Sequence, residues 1–394
     1  MRSPLASACL LAVTALMAPL LAAAPALADD RWDVPKRAQI TITGHGYGHG
    51  RGMSQYGAEG AAREGLGFRR IAEFYYPGTT WGQARGRITV LLTADTTDDL
   101  IVRARDGLTV HDAGSGETLA LPDNGASRWR VIRADGTYRV SYLRERWRRW
   151  QVLDGVGSFA AGGDPVTLVT PTGERAYRGR LTAVQPPGSS GLVTVNRLAI
   201  EAYLRGVVPL EIPALWSTAA VRAQSVAART YAAYERNHPR STVYDICDTW
   251  SCQVYGGVEA EHAAADEAIE ATRRLVLRHD GEPAFTQFGS SSGGWTVDGG
   301  MPYLTAQSDP YDDWSGNPNH DWTLTVTDAR FERAFPSIGN LRRIVVLSRD
   351  GNGQWGGRVV RLRLVGSNGR VTVSGDTMRS ALGLKSTWVT FSVG

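Results

Sequence analysis

The sequence contains little cysteine: only three of its 394 residues, of which Cys9 lies in an apolar N-terminal stretch. The other two, Cys247 and Cys252, stand five positions apart in CDTWSC. Outside the cell, two close cysteines usually form a disulfide. Structural zinc needs about four ligands, and His238 is the only nearby histidine before them. The sequence therefore favours a Cys247–Cys252 disulfide over a metal site, and it indicates no cofactor.

Long hydrophobic runs are also lacking beyond residue 28, where no stretch reaches the roughly 20 apolar residues of a transmembrane helix. The first 28 residues contain Arg2, an Ala/Leu-rich stretch interrupted by Pro19 and Pro25, and a closing Ala-Leu-Ala. One charge, an apolar centre and a small-residue cleavage site are typical of a secretory signal peptide. We therefore predict that residues 1–28 are removed and that the mature chain is secreted, with no membrane span.

The sequence has only a slight excess of charge, since 43 lysines and arginines face 39 aspartates and glutamates for a net charge of +4. This excess is too small for a strong nucleic-acid footprint, so no nucleic-acid partner is expected. A local exception is RERWRRW, residues 144–150. Its basic side chains would suit an anionic envelope polymer, but the pattern favours the outer face of a strand.

Strand-like segments dominate residues 87–195, where β-branched residues cluster or alternate between Gly, Asp and Asn turns. A helix pattern follows, with Ser217 as a candidate N-cap and apolar residues at spacings of three and four as far as Tyr234. Its polar side is expected to contain Arg222, Ser225, Arg229 and Arg236. Residues 259–277 indicate a second helix, and strands return over residues 342–393. This order predicts an α+β, β-rich fold.

The segment GVVPLEIPALW, residues 206–216, contains a single acid between two prolines. Pro213 prevents a regular helix through Glu211 and biases Ile212 toward extended geometry, so the acid is expected on a stiff turn. Desolvation by apolar neighbours raises the pKa of a carboxyl group and would keep Glu211 protonated near neutral pH. Such a group is suited to general-acid catalysis, and an incidental acid in a surface loop is the alternative.

Residues 44–65, GHGYGHGRGMSQYGAEGAAREG, are rich in glycine and follow a strand-like segment. The glycine spacing does not fit a dinucleotide-binding loop, and no Gly-Lys-Ser/Thr follows for a phosphate loop. What remains is a glycine-rich backbone that carries His45, His49, Ser54 and Gln55. Two interpretations stay open, a tight structural crossing and a loop that contacts substrate.

A third segment, FGSSSGGWT over residues 288–296, satisfies the G-x-S-x-G pattern of serine hydrolases through Ser291. That nucleophile requires a helix immediately after the serine, and GGWTVDGGMP is a poor helix. His320 and several aspartates lie downstream, but Gly/Ser-rich loops match this pattern by chance. A serine hydrolase centred on Ser291 is therefore the weaker alternative.

Together these segments closely resemble the sporulation stage II protein D / LytB (SpoIID/LytB) family. The resemblance over residues 195–394 is carried by VNRLAIEAYLRGVVPLEIPALWSTAAVRAQSVAARTYAAY, CDTWSCQVYGG, AFTQFGSSSGGWT, YLTAQSDPYDDW and SGDTMRSALGLKSTWVTFSV. Residues 38–80 also resemble the family, in which this segment commonly follows the LGLKST strand. We therefore expect residues 38–80 to occupy the same place from the opposite end of the chain, as in a circular permutation. Residues 44–57 would then lie beside Glu211.

The resemblance implies a β-rich α+β fold and lytic transglycosylation of peptidoglycan glycan strands, preferably strands already stripped of stem peptides. The family's catalytic acid falls on Glu211. Six further residues match patterned positions and are candidate substrate contacts: His49, Gln55, Gln224, Arg229, Ser290 and Ser292. Some members bind zinc near the equivalent of CDTWSC, but Ser251 stands here in place of a histidine. Other members stimulate amidases, which makes a non-enzymatic, glycan-binding amidase activator the main alternative.

These features predict four segments along the chain. A signal peptide over residues 1–28 is followed by a Gly/His-rich segment over 29–81 that completes the catalytic domain. A β-rich subdomain over 82–190 precedes the catalytic core over 191–394, with QPPGSSG as a turn or linker between them. The expected partners are peptidoglycan glycan strands and a cell-wall amidase, and the expected location is the cell wall.

Overall fold

The computed structural model describes residues 30–394, so the predicted signal peptide lies outside the described residues. The helices are α1 (Gln55–Arg63), α2 (Phe68–Tyr75), α3 (Ile200–Arg205), α4 (Val208–Glu211), α5 (Thr218–Asn237), α6 (Ala263–Ala271), α7 (Asp328–Ala334) and α8 (Gly375–Leu382). The strands are β1 (Arg31–Asp33), β2 (Gln39–His45), β3 (Met53–Ser54), β4 (Thr80–Gln83), β5 (Arg87–Leu91), β6 (Asp99–Arg103), β7 (Thr109–Asp112), β8 (Thr118–Ala120), β9 (Arg128–Ala134), β10 (Thr137–Leu143), β11 (Trp147–Leu153), β12 (Gly157–Ala160), β13 (Val166–Thr170), β14 (Gly173–Tyr177), β15 (Arg180–Val184), β16 (Val193–Ala199), β17 (Ile246–Cys247), β18 (Leu275–His279), β19 (Glu282–Pro283), β20 (Phe288–Gly289), β21 (Asp321–Thr327), β22 (Leu341–Arg349), β23 (Val359–Gly366), β24 (Gly369–Ser374) and β25 (Val389–Val393). This architecture confirms the predicted α+β, β-rich class. Within residues 30–394, no helix has the length and apolarity to cross a membrane.

Two packed sheets form the β-rich region. One has the strand order β11-β10-β9-β6-β13-β14 and the other β17-β5-β16-β15-β12-β7-β8. Alternate residues of each sheet are buried in a shared core, as Val90 on β5 and Val131 on β9 illustrate. Val184 of β15 pairs with Val193 of β16, so QPPGSSG is a hairpin loop within one sheet. The predicted boundary at residue 190 therefore falls between two hydrogen-bonded strands.

The basic segment RERWRRW runs into β11, which lies at an edge of its sheet. Arg148 and Arg149 are exposed there, as expected for the outer face of a strand. Charged side chains on an edge strand discourage pairing with a second chain. The position of β11 at the edge of its sheet therefore gives a structural explanation for the basic character of RERWRRW.

A second core brings the two ends of the described chain together. Strand β2 lies between β21 and β25 and pairs with both in antiparallel register. Ile40 and Ile42 of β2 are buried with Phe331 and Phe391. The predicted packing of the N-terminal segment beside the C-terminal strands is confirmed. The predicted 191–394 segment, however, contributes to both cores rather than to one.

The long helix predicted after the Glu211 loop is α5, with Ser217 at its N-cap position. Its alanine-rich face permits close packing against neighbouring helices, among them α1, α2 and α6. The expected polar side is wrong for Ser225 and Arg229, because both are fully buried. Elements pack around most of the helix, so its hydrophobic period does not define an exposed face.

The second predicted helix, residues 259–277, is too long. Helix α6 ends at Ala271, and Arg274 then adopts a left-handed backbone conformation with a φ of 64°. The chain reverses there and continues as β18, which pairs with β4. Apolar residues in LVLRH therefore belong to a strand whose partner lies almost 200 positions earlier in the chain.

Candidate functional site

Glu211 is the last residue of the one-turn helix α4. Pro209 occupies the first turn of this helix, where its missing N–H removes no intrahelical bond. Ile212 follows in an extended conformation, φ −135° and ψ 141°, as expected before Pro213. Because the side chain of Ile212 is buried and Glu211 is only half-buried, the turn anchors itself in the core and leaves the acid accessible.

The carboxyl group of Glu211 has an environment that favours its protonated form. Burial raises its pKa from the ordinary value to about 7, against the opposing effects of two hydrogen bonds. The Val254 N–H donates to Oε1 at 3.3 Å, and the Gln55 side chain is the second partner. Near neutral pH the group is therefore divided between its acid and its carboxylate, as general acid–base catalysis requires.

Gln55 brings the glycine-rich N-terminal segment to this acid. It is the first residue of α1, and the Ser54 side chain caps the helix by accepting a hydrogen bond from the Gly57 N–H at 3.0 Å. Gln55 is largely buried, with 8% of its surface exposed. The structure thus brings Gln55, within the predicted 44–57 segment, to Glu211, although it precedes the acid by more than 150 positions.

The glycine-rich segment crosses the FGSSSGGWT loop at very short range. Gly46 has a φ of 75°, and a Cβ atom there would lie 2.8 Å from the carbonyl oxygen of Ser291. Tyr47 and Ser291 exchange two backbone hydrogen bonds, at 2.9 and 3.1 Å. The tight structural crossing therefore accounts for at least this part of the motif.

The Asp312 carboxylate stabilises this crossing by accepting hydrogen bonds from both segments. It is fully buried, and its Oδ1 accepts a hydrogen bond from the Ser54 hydroxyl at 2.6 Å. Its Oδ2 accepts from the Ser291 hydroxyl at 2.7 Å and from the Gly293 N–H at 2.9 Å. His320 Nδ1 lies 3.0 Å from the same oxygen. One carboxylate therefore joins the cap of α1 to the serine loop.

A second buried carboxyl group, Asp309, extends the network. It accepts hydrogen bonds from the Ser292 hydroxyl at 2.7 Å and from the Tyr75 hydroxyl at 3.0 Å. Burial and repulsion by Asp312 raise the pKa of Asp309. Burial acts in the same direction on Asp312, but hydrogen bonds from His320, Ser54 and Ser291 outweigh it and lower the pKa of Asp312. The network therefore holds its negative charge on Asp312.

The three serines of the loop have different surroundings. Ser291 and Ser292 are buried and donate to Asp312 and Asp309. Ser290 is half-buried and accepts from the Asn319 side chain at 3.3 Å. Since both Ser291 and His320 bond the Asp312 carboxylate, this histidine is not placed as the base of a serine nucleophile. The geometry opposes the serine-hydrolase alternative.

His49 and Gln224, two further predicted contacts, have different surroundings. His49 is half-buried near Gly289 and accepts a hydrogen bond from the Arg51 N–H at 3.0 Å. Burial, followed by the positive charges of Arg51 and Arg358, lowers its pKa to about 4, so it is neutral at pH 7. Gln224 is fully buried in α5, and within residues 30–394 its amide atoms have no hydrogen-bond partner.

Arg229 is held inside the core instead of facing substrate. Its side chain is fully buried, and it donates to Glu201 at 2.8 Å and to the Ile269 carbonyl at 3.0 Å. A third bond joins it to the Leu275 carbonyl at 3.3 Å. These partners join α3, α5 and the segment from α6 to β18, so Arg229 stabilises the scaffold behind the acid.

Replacing Arg229 with Leu is expected to destabilise the protein by about 3–5 kcal/mol, because Glu201 and two carbonyl groups lose their partner. Urea unfolding of the purified variant measures this change. Arg273→Leu is the matched control, since Arg273 is exposed and pairs with Glu270 on the surface, where such pairs contribute about 0–1 kcal/mol. Equal stability of the two variants would contradict the structural assignment of Arg229.

Sequence reasoning missed a buried acid, Glu59, that contacts the turn after Glu211. The Glu59 carboxylate accepts hydrogen bonds from the Ser217 N–H at 2.8 Å and from the Ser217 hydroxyl at 3.1 Å. Arg63 pairs with the same carboxylate at 2.8 Å. An acceptor at the N-terminus of α5 satisfies a donor that the helix cannot, and it links α1 to the turn after Glu211. The isolated acid in AEGAA was the only signal in the sequence.

Aromatic side chains also gather next to Gln55. The Tyr56 ring lies 4.8 Å from Trp216 and 6.1 Å from Trp314, centroid to centroid. The Trp314 indole N–H donates to the Tyr56 carbonyl at 3.0 Å, and Arg63 stacks over the Trp314 ring. All three aromatic residues are half-buried, so this cluster remains partly accessible next to Gln55, a partner of Glu211.

Cys247 and Cys252 are joined by a disulfide that closes a loop two residues before Val254. The segment after the loop reaches Glu211 through the Val254 N–H. In the described part of the chain, no group of three or more His, Cys, Asp or Glu residues has an arrangement suited to a metal ion.

Comparison with known proteins agrees with the expected family. Residues 188–279 match the SpoIID family, described as Stage II sporulation protein. The Amidase enhancer of Bacillus subtilis (strain 168) is 36% identical over 135 residues, which cover 33% of this chain and 17% of that protein. Stage II sporulation protein D of the same organism is 28% identical over 165 residues, covering 36% of this chain and 46% of that protein. The matching regions thus span less than half of either relative.

Proposed function

Because residues 188–279 match the SpoIID family, we propose that the protein is a lytic transglycosylase of peptidoglycan. The observation that carries the proposal is the state of Glu211: a half-buried acid on a rigid turn, with a pKa raised by burial to about 7. Among the described residues, no second carboxylate contributes to that shift. An acid of this kind supports a reaction in which one group serves as both acid and base.

A lytic transglycosylase needs no second carboxylate because the nucleophile belongs to the substrate. Glu211 in its acid form protonates the glycosidic oxygen between N-acetylmuramic acid and N-acetylglucosamine. The C1–O bond breaks, its electron pair leaves with the oxygen, and positive charge develops at C1. The Glu211 carboxylate then takes the proton of the C6 hydroxyl, and O6 closes on C1. The acid is regenerated, no water is consumed, and a 1,6-anhydro end results, unlike in hydrolases with paired carboxylates.

The remaining site residues support this chemistry by position. Gln55 and the Val254 N–H stabilise the carboxylate that forms after proton transfer. The partly exposed rings of Tyr56, Trp216 and Trp314 offer surfaces that suit the apolar faces of sugar rings. We propose that the substrate is a glycan strand freed of stem peptides and that the protein acts outside the cell, in the wall.

Mass spectrometry of the fragments released from peptidoglycan tests the proposal. The purified protein is incubated with intact sacculi and, separately, with glycan strands from which an amidase has removed the stem peptides. The expected products are 1,6-anhydro-muramic ends, chiefly from the stripped strands. Reducing ends would indicate hydrolysis and require a second carboxylate, and the absence of fragments from both substrates would overturn the enzymatic proposal.

The rate of cleavage should fall as pH rises through about 7, because the raised pKa of Glu211 places loss of its acid form there. Gln55→Ala removes a partner that lowers this pKa, so the fall in the cleavage rate is expected to shift to higher pH. Initial rates of anhydro-end formation, measured from pH 5 to 9, check both statements. Gln151→Ala, at an exposed position in β11, is the control, and its cleavage rate should depend on pH as that of the wild type does. If Gln55→Ala left the pH dependence of the rate unchanged, Gln55 would have no effect on the pKa of Glu211.

Activation of a cell-wall amidase is the second candidate function, favoured by the relative named Amidase enhancer. In that case the same site would bind glycan without cleaving it. Purified amidase is assayed on sacculi with the wild-type protein and with Glu211→Gln. Full stimulation by both proteins, together with no anhydro ends from either, would select activation over transglycosylation.

A further inference from the structure

Trp250 is the most exposed large hydrophobic side chain in the described part of the chain. It is 88% exposed and lies between Cys247 and Cys252, at the tip of the loop that their disulfide closes. A tryptophan normally buries most of its large apolar surface, so an indole held in water is an informative exception. Trp216 and Trp295, by contrast, are half-buried.

The loop that carries Trp250 is fixed on both sides. Before it, the Asp248 carboxylate accepts hydrogen bonds from the Thr93 N–H and from the Thr93 hydroxyl, the latter at 2.7 Å. After it, Gln253 is buried and accepts from the Tyr203 hydroxyl at 3.2 Å. The Cys252 N–H also closes a turn onto the Thr249 carbonyl at 2.9 Å. Trp250 is therefore displayed by a constrained loop, which reduces the entropy that the indole would lose on binding a ligand.

The loop is directly connected to the catalytic acid. Val254, four residues after Trp250, donates its N–H to the Glu211 carboxyl group. Even a fully extended chain places their Cα atoms no more than about 15 Å apart. The second partner of the carboxyl group, Gln55, is followed by Tyr56, whose ring packs against Trp216. Aromatic residues therefore adjoin both hydrogen-bond partners of the Glu211 carboxyl group.

We propose that Trp250 is the platform of a sugar-binding subsite, on which a pyranose ring of the glycan strand stacks away from the bond that is cut. This inference rests on the proposed function, which supplies the polymer. The apolar C–H face of a pyranose covers the indole face, and the sugar hydroxyl groups stay in water. Since an aromatic surface adjoins each of the two hydrogen-bond partners of Glu211, the strand spans both surfaces, and the enzyme cuts internal bonds of long strands.

Binding in an inactive background tests the subsite separately from catalysis. Stem-peptide-free glycan strands are titrated by calorimetry into Glu211→Gln and into Glu211→Gln/Trp250→Ala. Loss of the indole is expected to weaken binding about tenfold, equivalent to about 1.4 kcal/mol. Trp250→Phe should retain most of the affinity, whereas Trp250→Leu, which is apolar but not planar, should bind like the alanine variant. Val360→Ala is the control, because Val360 is 47% exposed in β23, outside the site.

Kinetics in the otherwise wild-type protein provide the second measurement. Trp250→Ala should raise KM for long strands with little change in kcat, and this difference should shrink for the shortest cleavable oligosaccharide. Unchanged affinity in the alanine variant, or full rescue by leucine, would overturn the subsite. Because affinity is measured with Glu211→Gln, a wild-type protein that released no anhydro ends would refute the proposed function and leave the binding result interpretable.

Discussion

Glu211→Gln is expected to lower the rate of glycan cleavage by about 10²–10⁴-fold, the usual contribution of a general acid. The amide has nearly the same shape but cannot deliver a proton to the glycosidic oxygen or accept one from the C6 hydroxyl. Glu211 is half-buried at the end of a one-turn helix, so the substitution should leave the fold intact. The measurement is the initial rate of anhydro-end formation from stripped strands at pH 6, with circular dichroism as the check on folding.

Glu117→Gln provides the matched control, because Glu117 is exposed in a loop of the β-rich region. It should cleave at the wild-type rate. Glu211→Gln should also bind stripped strands about as well as wild type, since the amide abolishes proton transfer but keeps nearly the same contact surface. A Glu211→Gln protein that retained even a tenth of the wild-type rate would show that another group donates the proton.

The local features of the site follow from short-range rules, which explains why the sequence predicts them. The extended conformation of Ile212 is imposed by Pro213, and the half-buried state of Glu211 follows from its apolar neighbours. Ser217 likewise precedes a helix in the position that its residue type favours. Each of these signals lies within a few residues of the feature that it determines.

Features that depend on distant partners could not be predicted in the same way. A helical period marks Ser225 and Arg229 as polar, but it contains no information about the elements that enclose α5 on its other side. Arginine is rarely buried, and here it is buried because Glu201, 28 positions earlier, supplies the opposite charge. Composition alone also could not show that residues 185–191 connect two paired strands, since a Pro/Gly/Ser-rich hairpin loop has the same composition as a linker.

The network around Asp312 shows how the two ends of the chain are coupled at the site. Its carboxylate holds the Ser54 cap, and the next residue, Gln55, contacts Glu211. On its other side the same carboxylate holds the serine loop through Ser291. The motif SDPYDDW therefore does not need to touch substrate to affect the proposed reaction, because Asp312 positions the Ser54 cap next to Gln55, a partner of the acid.

Asp312→Ala is accordingly expected to lower the free energy of unfolding by about 3–5 kcal/mol, as when one partner of a buried charged pair is removed. The hydroxyls of Ser54 and Ser291, the Gly293 N–H and His320 would all lose their acceptor. Urea unfolding at pH 7 gives the stability. The rate of cleavage per folded molecule should also fall, because the cap that positions Gln55 is lost, and this second effect separates a positioning residue from a merely stabilising one.

The neighbouring carboxylate supplies the control. Asp313 is 78% exposed at its side chain, and Asp313→Ala should change stability by less than about 0.5 kcal/mol. The pH dependence has a definite sign: because the pKa of Asp312 is lowered in the folded protein, its contribution to stability is present above the ordinary carboxyl pKa and is lost as pH falls through the folded value. In acid the stability difference between wild type and Asp312→Ala should therefore narrow. A stability difference that stayed constant as pH fell into the acid range would mean that the crossing of the two loops does not depend on this carboxylate. An Asp312→Ala protein as stable and active as Asp313→Ala would mean the same.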